Sequence, residues 1–327
     1  MNKLSGVSPE SVLITGATGF IGMNLARELL SRGGSVHALK RKSSDPRRVR
    51  ELEGFAKGKG RLTLHDAELT DFAAVSGVVQ TVRPRTVFHL AARADTSLSM
   101  ENALACFQDN ISATYVLLEA LKGMNIRSLV FASSTEVYGK LPVPFRETQT
   151  IRPPSPYGLS KAAAEEICFY FVRNHGLPVS IARIAVCYGP YMKGPRFMSN
   201  LFKACTAKAK GPELKFASAG QTRDFVHVDD IVSALIAASE RKAARGEIFN
   251  LGLGKSHTVK QLVETACKLA RFTPKMRWGV LPEPVHVNKV WKTGIGKAKK
   301  LLGWSPEVGL EEGLLDTLDH FRGSSPN

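Results

Sequence analysis

Two residues one helical turn apart, Tyr157 and Lys161, carry the most specific chemistry in this chain. A free tyrosine is only about 0.1% phenolate at neutral pH, so using it as a base needs a shift of roughly three units, or about 4 kcal/mol. An ammonium at i+4 on the same helical face can supply much of that. Ser155-Pro156 just ahead suits an N-cap followed by proline in the first turn, so the pair should sit at a helix start. Upstream runs Phe131-Ala-Ser-Ser-Thr-Glu-Val-Tyr-Gly139, where Ser134 and Thr135 are placed to hydrogen-bond a substrate hydroxyl beside Tyr157. Glu136 is either a solvated loop acid or a base in a sheltered site.

A second signal lies near the start of the chain, in Thr15-Gly-Ala-Thr-Gly-Phe-Ile-Gly22. Gly16 permits a tight turn, Gly19 lets backbone N–H groups approach a pyrophosphate, and Gly22 allows close helix–strand packing. Thr18, Phe20 and Ile21 complete a dinucleotide turn, which would bring a nicotinamide to Tyr157. The end of the second strand should read the adenosine ribose, an acid for a free 2′-hydroxyl and Arg for a 2′-phosphate. Here it reads Lys40-Arg41-Lys42-Ser43-Ser44, with no acid, which favours NADP over NAD. The alternative is solvated lysines with Ser43 holding an NAD ribose. Asp66, followed by Ala67, is either an adenine-amino acceptor or a helix cap.

The elements that position these groups alternate. Apolar strand-like runs at 11–15, 35–39, 61–65, 86–90, 128–132 and 179–184 are separated by helical patterns, notably 71–82 and 110–122. Such alternation predicts an α/β fold with a Rossmann-type, doubly wound parallel sheet, whose ligands lie at the carboxyl ends of the strands. After Tyr188 the rhythm breaks at Gly189-Pro190, Gly194-Pro195 and Gly211-Pro212, then returns as strand and helix at 224–238 and a strand at 248–251. The expected division is a cofactor domain over 1–186 with a returning segment at about 222–252. A substrate-binding domain takes 187–221 and 253–327.

Composition narrows the class further. The 327 residues are 43% hydrophobic and 23% charged, which excludes disordered, collagen-like and coiled-coil proteins. No run approaches 18 apolar residues, so no membrane span is expected. The first ten residues lack the apolar core of a secretion signal, and the five cysteines are scattered, which reads as a reduced, cytoplasmic protein. The net charge of +16 is concentrated at 40–50, 192–220 and 289–300. Phosphorylated ligands, nucleic acid or a plain basic surface would each account for it. A non-catalytic sensor or an RNA-binding protein is the rival class. Against it stand the complete Ser134, Tyr157 and Lys161 set and basic patches without interleaved aromatics. His227, Asp229 and Asp230 read as caps of a helix starting at Ile231, with no metal.

Taken together, these residues resemble the extended short-chain dehydrogenase/reductase family, the NAD-dependent epimerase/dehydratase enzymes. The resemblance rests on 15–22, Asp66, His89-Leu-Ala-Ala92, Asn110 with Leu117-Leu-Glu-Ala120, 133–139, Tyr157 with Lys161, Tyr188-Gly-Pro190, Arg223-Asp-Phe-Val-His-Val-Asp-Asp230, Phe249-Asn-Leu-Gly252 and Leu302-Gly-Trp304. It implies a bound nicotinamide cofactor touched by Leu90, Ala91, Ala92 and Ile184 as well as the glycine turn. It further implies a nucleotide-diphosphate sugar held by Thr96, Asn200 and Arg223.

Within the family, 36–44 and 132–140 resemble GDP-mannose 4,6-dehydratase. That likeness implies C4 oxidation with Tyr157 as base, removal of the C5 proton by Glu136, loss of the 6-hydroxyl with Thr135 assisting, and return of hydride to C6. A 4-epimerase or a 4-keto-sugar reductase is the alternative. Val186 stands where the family usually has Asn, Leu281 where Arg is frequent and Gly294 where Asp is usual. The family's homodimer would pair the helix at 110–122 (Thr114, Leu117, Leu118, Leu121) with that after Tyr157 (Ala162, Ala163, Glu166, Phe169), unless those faces pack on the sheet instead.

Overall fold

The computed structural model describes residues 11–58, 60–194, 197–207, 213–282 and 288–323. Pro195, Gly211, Pro212, part of the basic stretch at 192–220 and the first ten residues, which the sequence reading used, lie outside that range. The strands in chain order are β1 (Ser11–Thr15), β2 (Ser35–Lys40), β3 (Arg61–Asp66), β4 (Thr86–His89), β5 (Ser128–Ser134), β6 (Val179–Ile184), β7 (Val186–Tyr188), β8 (Leu214–Lys215), β9 (Thr222–Arg223), β10 (Phe225–His227), β11 (Ile248–Leu251), β12 (His257–Thr258) and β13 (Met276–Arg277). The helices are α1 (Phe20–Ser31), α2 (Pro46–Phe55), α3 (Phe72–Val82), α4 (Met100–Cys106), α5 (Ala113–Leu121), α6 (Pro156–His175), α7 (Phe197–Thr206), α8 (Val228–Glu240), α9 (Val259–Ala270), α10 (Gly296–Leu302) and α11 (Leu310–Gly323). None is long and apolar enough to cross a membrane, among the described residues.

Strands buried on both faces need helices on both faces, and the chain supplies them. Seven strands lie parallel in the order β11-β6-β5-β4-β1-β2-β3. One face packs against α1 and α8 through Met23, Leu25, Ile231 and Leu235. The other packs against α3, α5 and α6 through Val79, Leu117, Leu118 and Phe171. The strand order reverses between β1 and β4, which opens a crevice at their carboxyl ends. A third core joins α7, α9 and α11 through Phe202, Leu262, Val263, Leu314 and Leu318. Short strands flank it, β7 with β10, β9 with β12 and β8 with β13.

Three local expectations change. The helix expected at 110–122 is part of a longer one, because α4 runs into α5 through a π-helical turn, Phe107–Ser112. Thr114, Leu117, Leu118 and Leu121 are buried against the sheet, so the apolar stripe expected to pair across a dimer is core; Met100, Leu104, Tyr115, Leu159 and Tyr170 are exposed instead. Helix α8 starts at Val228, not Ile231, with His227 as its N-cap and Asp229 and Asp230 inside the first turn. Asp230 accepts from the backbone N–H groups of Glu307 (2.8 Å) and Val308 (3.2 Å), which ties the Leu302-Gly-Trp304 segment to α8.

A polar chain crosses the sheet at its centre. The β4 residue His89 is buried, with Nδ1 2.7 Å from Thr15 Oγ1 and Nε2 3.0 Å from Thr114 Oγ1. Burial first, and then the nearby Lys161 charge, push its pKa down to about 3. The imidazole is therefore neutral when folded but takes a proton below about pH 6.5 when unfolded. Stability from His89 is then full above pH 6.5 and is lost as pH falls, by about 1.4 kcal/mol per unit until the folded value is reached. Urea unfolding at pH 7.5, 6.5 and 5.5 should show a falling midpoint, and His89→Asn, less stable throughout, should show a shallower fall. Parallel pH dependences in the two proteins would refute this account of His89.

Candidate active site

The crevice begins at the glycine turn. Gly16 has φ +73° and lies so close to β4 that a Cβ there would sit 2.6 Å from Ala91 N. At Gly22 a Cβ would come within 2.1 Å of Gly16 O, so only glycine lets α1 start directly on the turn. Gly19 caps α1 without a side-chain acceptor, which leaves first-turn N–H groups for an anion. A twelve-residue helix aimed from this cradle suits a dinucleotide pyrophosphate. Thr18, Phe20 and Ile21 are half-buried along the turn, as are Leu90 and Ala91 opposite, while Ala92 is exposed and Ile184 buried.

At the ribose end the structure divides residues that look alike in sequence. Lys40 is ion-paired with Asp66 across adjacent strands, so its charge is compensated, and Asp66 is a strand-end partner and not a helix cap. Ala67 is buried beside it. Arg41, Lys42 and Ser43 are exposed. Asp45 caps α2 through Arg47 N (2.9 Å) and pairs with Lys193 (2.6 Å), which cancels the lone acid of this loop.

The catalytic candidates meet where β5 ends and α6 begins. Ser155 caps α6, accepting from Gly158 N at 3.1 Å, with Pro156 in the first turn as expected. Tyr157 is half-buried on that turn, and Lys161 one turn on is fully buried. Lys161 Nζ donates to Ala132 O at 2.7 Å and lies 4.6 Å from the centre of the Phe131 ring. Burial draws its pKa down to about 8, with the Glu165 carboxylate acting in the opposite direction. The ammonium therefore sits close to its titration point, poised to exchange charge with a neighbouring phenol.

Ser134 Oγ accepts from Glu136 N at 3.1 Å, which leaves its hydroxyl proton to donate outward. Glu136 is half-buried and accepts from Ser155 Oγ at 3.3 Å. Gly158 allows this approach, since a Cβ there would lie 3.2 Å from Glu136 Cγ. Thr135 differs from expectation. It is buried and its hydroxyl donates to Ile184 O at 3.4 Å, so it braces β6 and does not face outward with Ser134.

Of the expected sugar-nucleotide contacts, Arg223 is the one brought to this region. Burial lowers its pKa and the Glu136 charge opposes the fall, so the two groups lie near one another. Its guanidinium donates to Thr222 O (2.8 Å) and Gln221 Oε1 (3.1 Å) beside the Trp291 ring. Thr96 and Asn200 are exposed, on a loop and on α7.

Sequence reasoning missed the polar groups behind the site. Glu165, four residues beyond Lys161, accepts from Ser133 Oγ (2.5 Å) and from Arg183 Nη2 (2.6 Å) and Nε (3.0 Å). Arg183 Nη1 donates to Tyr138 OH (2.9 Å), which donates to Asn250 Oδ1 (2.7 Å). On the opposite side Asn110 Nδ2 donates to Ser160 Oγ (2.8 Å), which donates to Tyr157 O (2.8 Å). The available signal was a polar residue at i+4 from Lys161 on a face otherwise apolar.

Comparison with known proteins fits this geometry. The chain is 32% identical over 319 residues to a UDP-glucuronate 4-epimerase of Thermodesulfobacterium geofontis, covering 94% of each chain. It is 31% identical over 340 residues to a UDP-N-acetyl-alpha-D-glucosaminuronate decarboxylase of Bacillus cytotoxicus, covering 95% of this chain and 97% of that one. Its fold is similar to the UDP-glucuronic acid 4-epimerase of Bacillus cereus in complex with UDP-glucuronic acid and NAD, with a TM-score of 0.85 and 26% identity over 95% of this chain and 99% of that one. These relatives bear UDP-sugar names, and the finer likeness to GDP-mannose 4,6-dehydratase has no counterpart among them. With the glycine cradle, the phenol–ammonium pair and a family profile matched over residues 12–252, the chain belongs to the NAD dependent epimerase/dehydratase family.

Proposed function

We propose that this protein is an NAD(P)-dependent nucleotide-sugar 4-epimerase acting on a UDP-sugar. The observation that carries the reading is Tyr157 in the first turn of α6, one turn before the buried Lys161, whose Nζ donates to Ala132 O two residues before Ser134. When bound, the nicotinamide supplies reversible acceptance of hydride from C4 of the sugar. Tyr157 takes the proton of the 4-hydroxyl, and the Lys161 ammonium favours the phenolate that does so. Ser134 donates to the same oxygen and lowers the cost of its developing charge. Arg223 holds the diphosphate. After the 4-keto sugar turns over in the site, Tyr157 returns its proton to O4 as C4 takes back the hydride on its opposite face, which inverts C4 and regenerates the oxidised cofactor.

A second reading, 4,6-dehydration, rests on Glu136, a half-buried carboxylate held by Ser155 within reach of the same sugar. It would remove the C5 proton of the ketone. As a base it would leave deuterium at C5 in heavy water and a product lighter by one water, and epimerisation does neither.

NADP is the proposed cofactor, with NAD as the alternative. Arg41, Lys42 and Ser43 are free to meet a 2′-phosphate, and Lys193 cancels Asp45 beside them. The domain division follows from the same assignment, with the cofactor on 1–186 and 222–252 and the sugar nucleotide on 187–221 and 253–327. We assign the protein to the cytoplasm, in keeping with five free cysteines. The exposed apolar residues Leu104, Tyr115, Leu159 and Tyr170 on α4, α5 and α6 support a homodimer through those helices.

Tyr157→Phe should lower kcat by about a thousandfold with cofactor affinity unchanged, as loss of a general base does; turnover unchanged in that variant would sink the enzymatic reading. Nuclear magnetic resonance of products formed in heavy water should show inversion at C4 without deuterium at C5. Arg41→Ala/Lys42→Ala should weaken NADPH binding by about tenfold or more in a fluorescence titration and leave NADH binding little changed. Equal losses for both cofactors would count against a 2′-phosphate site. Light scattering should give about twice 35.6 kDa, falling to the single mass in Leu104→Glu/Tyr170→Glu.

A further inference from the structure

Behind the phenol–ammonium pair lies an ion pair that the proposed reaction does not use directly. Glu165 and Arg183 are both fully closed from solvent. Burying two charges costs several kcal/mol, and structural needs alone rarely require it, since apolar residues of similar volume often serve as well. The position of this pair is informative. Glu165 projects from α6 one turn after Lys161, and its Oε1 accepts a hydrogen bond from the hydroxyl of Ser133, the residue before Ser134. Arg183 on β6 binds both carboxylate oxygens and passes on to Tyr138 and, through it, to Asn250 on β11.

We propose that Glu165 is a positioning residue for the reaction: through Ser133 it fixes the strand end that carries Ser134, and through its charge it balances Lys161, with Arg183 limiting how much of that charge Lys161 feels. This assignment rests on the proposed roles of Tyr157 and Lys161. Among the described residues, the groups that act on Lys161 are Glu165 and Cys168 from α6, His89 from β4, and the Ala132 carbonyl and the Phe131 ring from β5; Tyr157 stands one turn before it on α6. His89 is neutral, and burial pushes the Cys168 thiol up so that it too is neutral at working pH. Glu165 is therefore the standing negative charge on Lys161, and Arg183 is its counterweight on β6, with Tyr138 behind.

Ionisation of Tyr157 is read as tyrosinate absorbance, wild type minus Tyr157→Phe, in the full chain with NADP+ added, beside the pH profile of kcat/KM. In Glu165→Gln the carboxylate is gone while Arg183 stays positive. The phenol should then ionise about one pH unit lower, and both limbs of the profile should move to acid by a similar amount. Glu165→Gln/Arg183→Met removes the pair as a unit and should return both readouts to within about 0.3 unit of wild type. Ser133→Ala, a mild change expected to fold, leaves both charges but frees Glu165 of one donor and should move both readouts a few tenths of a unit to alkali.

A fall in kcat with unmoved midpoints in Glu165→Gln would overturn the proposal, as would equal shifts in the single and double variants. Should Glu165→Gln not accumulate, an unmoved midpoint in Ser133→Ala would overturn it instead. Tyrosinate shifts of the expected sign without turnover on any UDP-sugar would strike the epimerase reading and leave the role of Glu165 standing.

Discussion

An ammonium group sealed from water organises this molecule. Lys161 is wholly buried, and its environment is the minimum that makes such burial tolerable: a backbone carbonyl at 2.7 Å, the face of an aromatic ring and a carboxylate one turn along its own helix. The carbonyl belongs to β5 and the lysine to α6. Sharing one proton between them sets the height of the helix against the strand, and so sets Tyr157 against Ser134. Displacement of either element would leave a buried cation or a buried carbonyl without its partner.

Two polar chains hold that register from opposite sides. One runs from Thr15 below the glycine turn through His89 and Thr114, whose hydroxyl donates to Asn110 O at 2.6 Å, and from Asn110 through Ser160 to the carbonyl of Tyr157. It is built from uncharged groups, as it must be, because a second cation beside Lys161 would be strongly unfavourable in so little water. The other chain runs from Ser133 through Glu165 and Arg183 to Tyr138 and Asn250, and it is ionic. The neutral chain thus links the glycine turn to α6 without adding a charge beside Lys161, and the ionic one places a carboxylate one turn beyond it.

What could be read in the sequence was whatever depends on neighbours along the chain. The turn at Gly16, the close approach at Gly22, the cap at Ser155 with Pro156 and the i, i+4 relation of Tyr157 to Lys161 are local, and each stands as expected. What misled was side-chain direction across the fold. Thr135 looked equivalent to Ser134, but successive residues after a strand point to opposite sides, and Thr135 turns to β6. The stripe from Thr114 to Leu121 looked like an interface, but a sheet covered on both faces needed that stripe for its own core. Asn110 and Asn250 were visible as motif residues, while the bonds that explain them span 50 and 112 residues in sequence.

The basic charge shows the same limit and resolves it physically. Six cations between Lys40 and Arg50 look like one patch. In the fold they separate: Lys40 pairs with Asp66, and Arg48 turns inward to donate to Tyr191 O at 2.5 Å. Arg41 and Lys42 are left in water at the ribose end of the crevice, with Lys193 contributed from beyond β7 to silence Asp45. A loop that merely needed solubility would have no use for a distant lysine that removes its one acid. A loop that meets a 2′-phosphate, as proposed, would have one, because an opposing carboxylate a few ångströms away would offset much of the attraction. On the proposed reading the cofactor end and the sugar-nucleotide end of this crevice are thus both cationic, while the ground between them is lined by neutral hydroxyls, one carboxylate and a lysine held near its titration point.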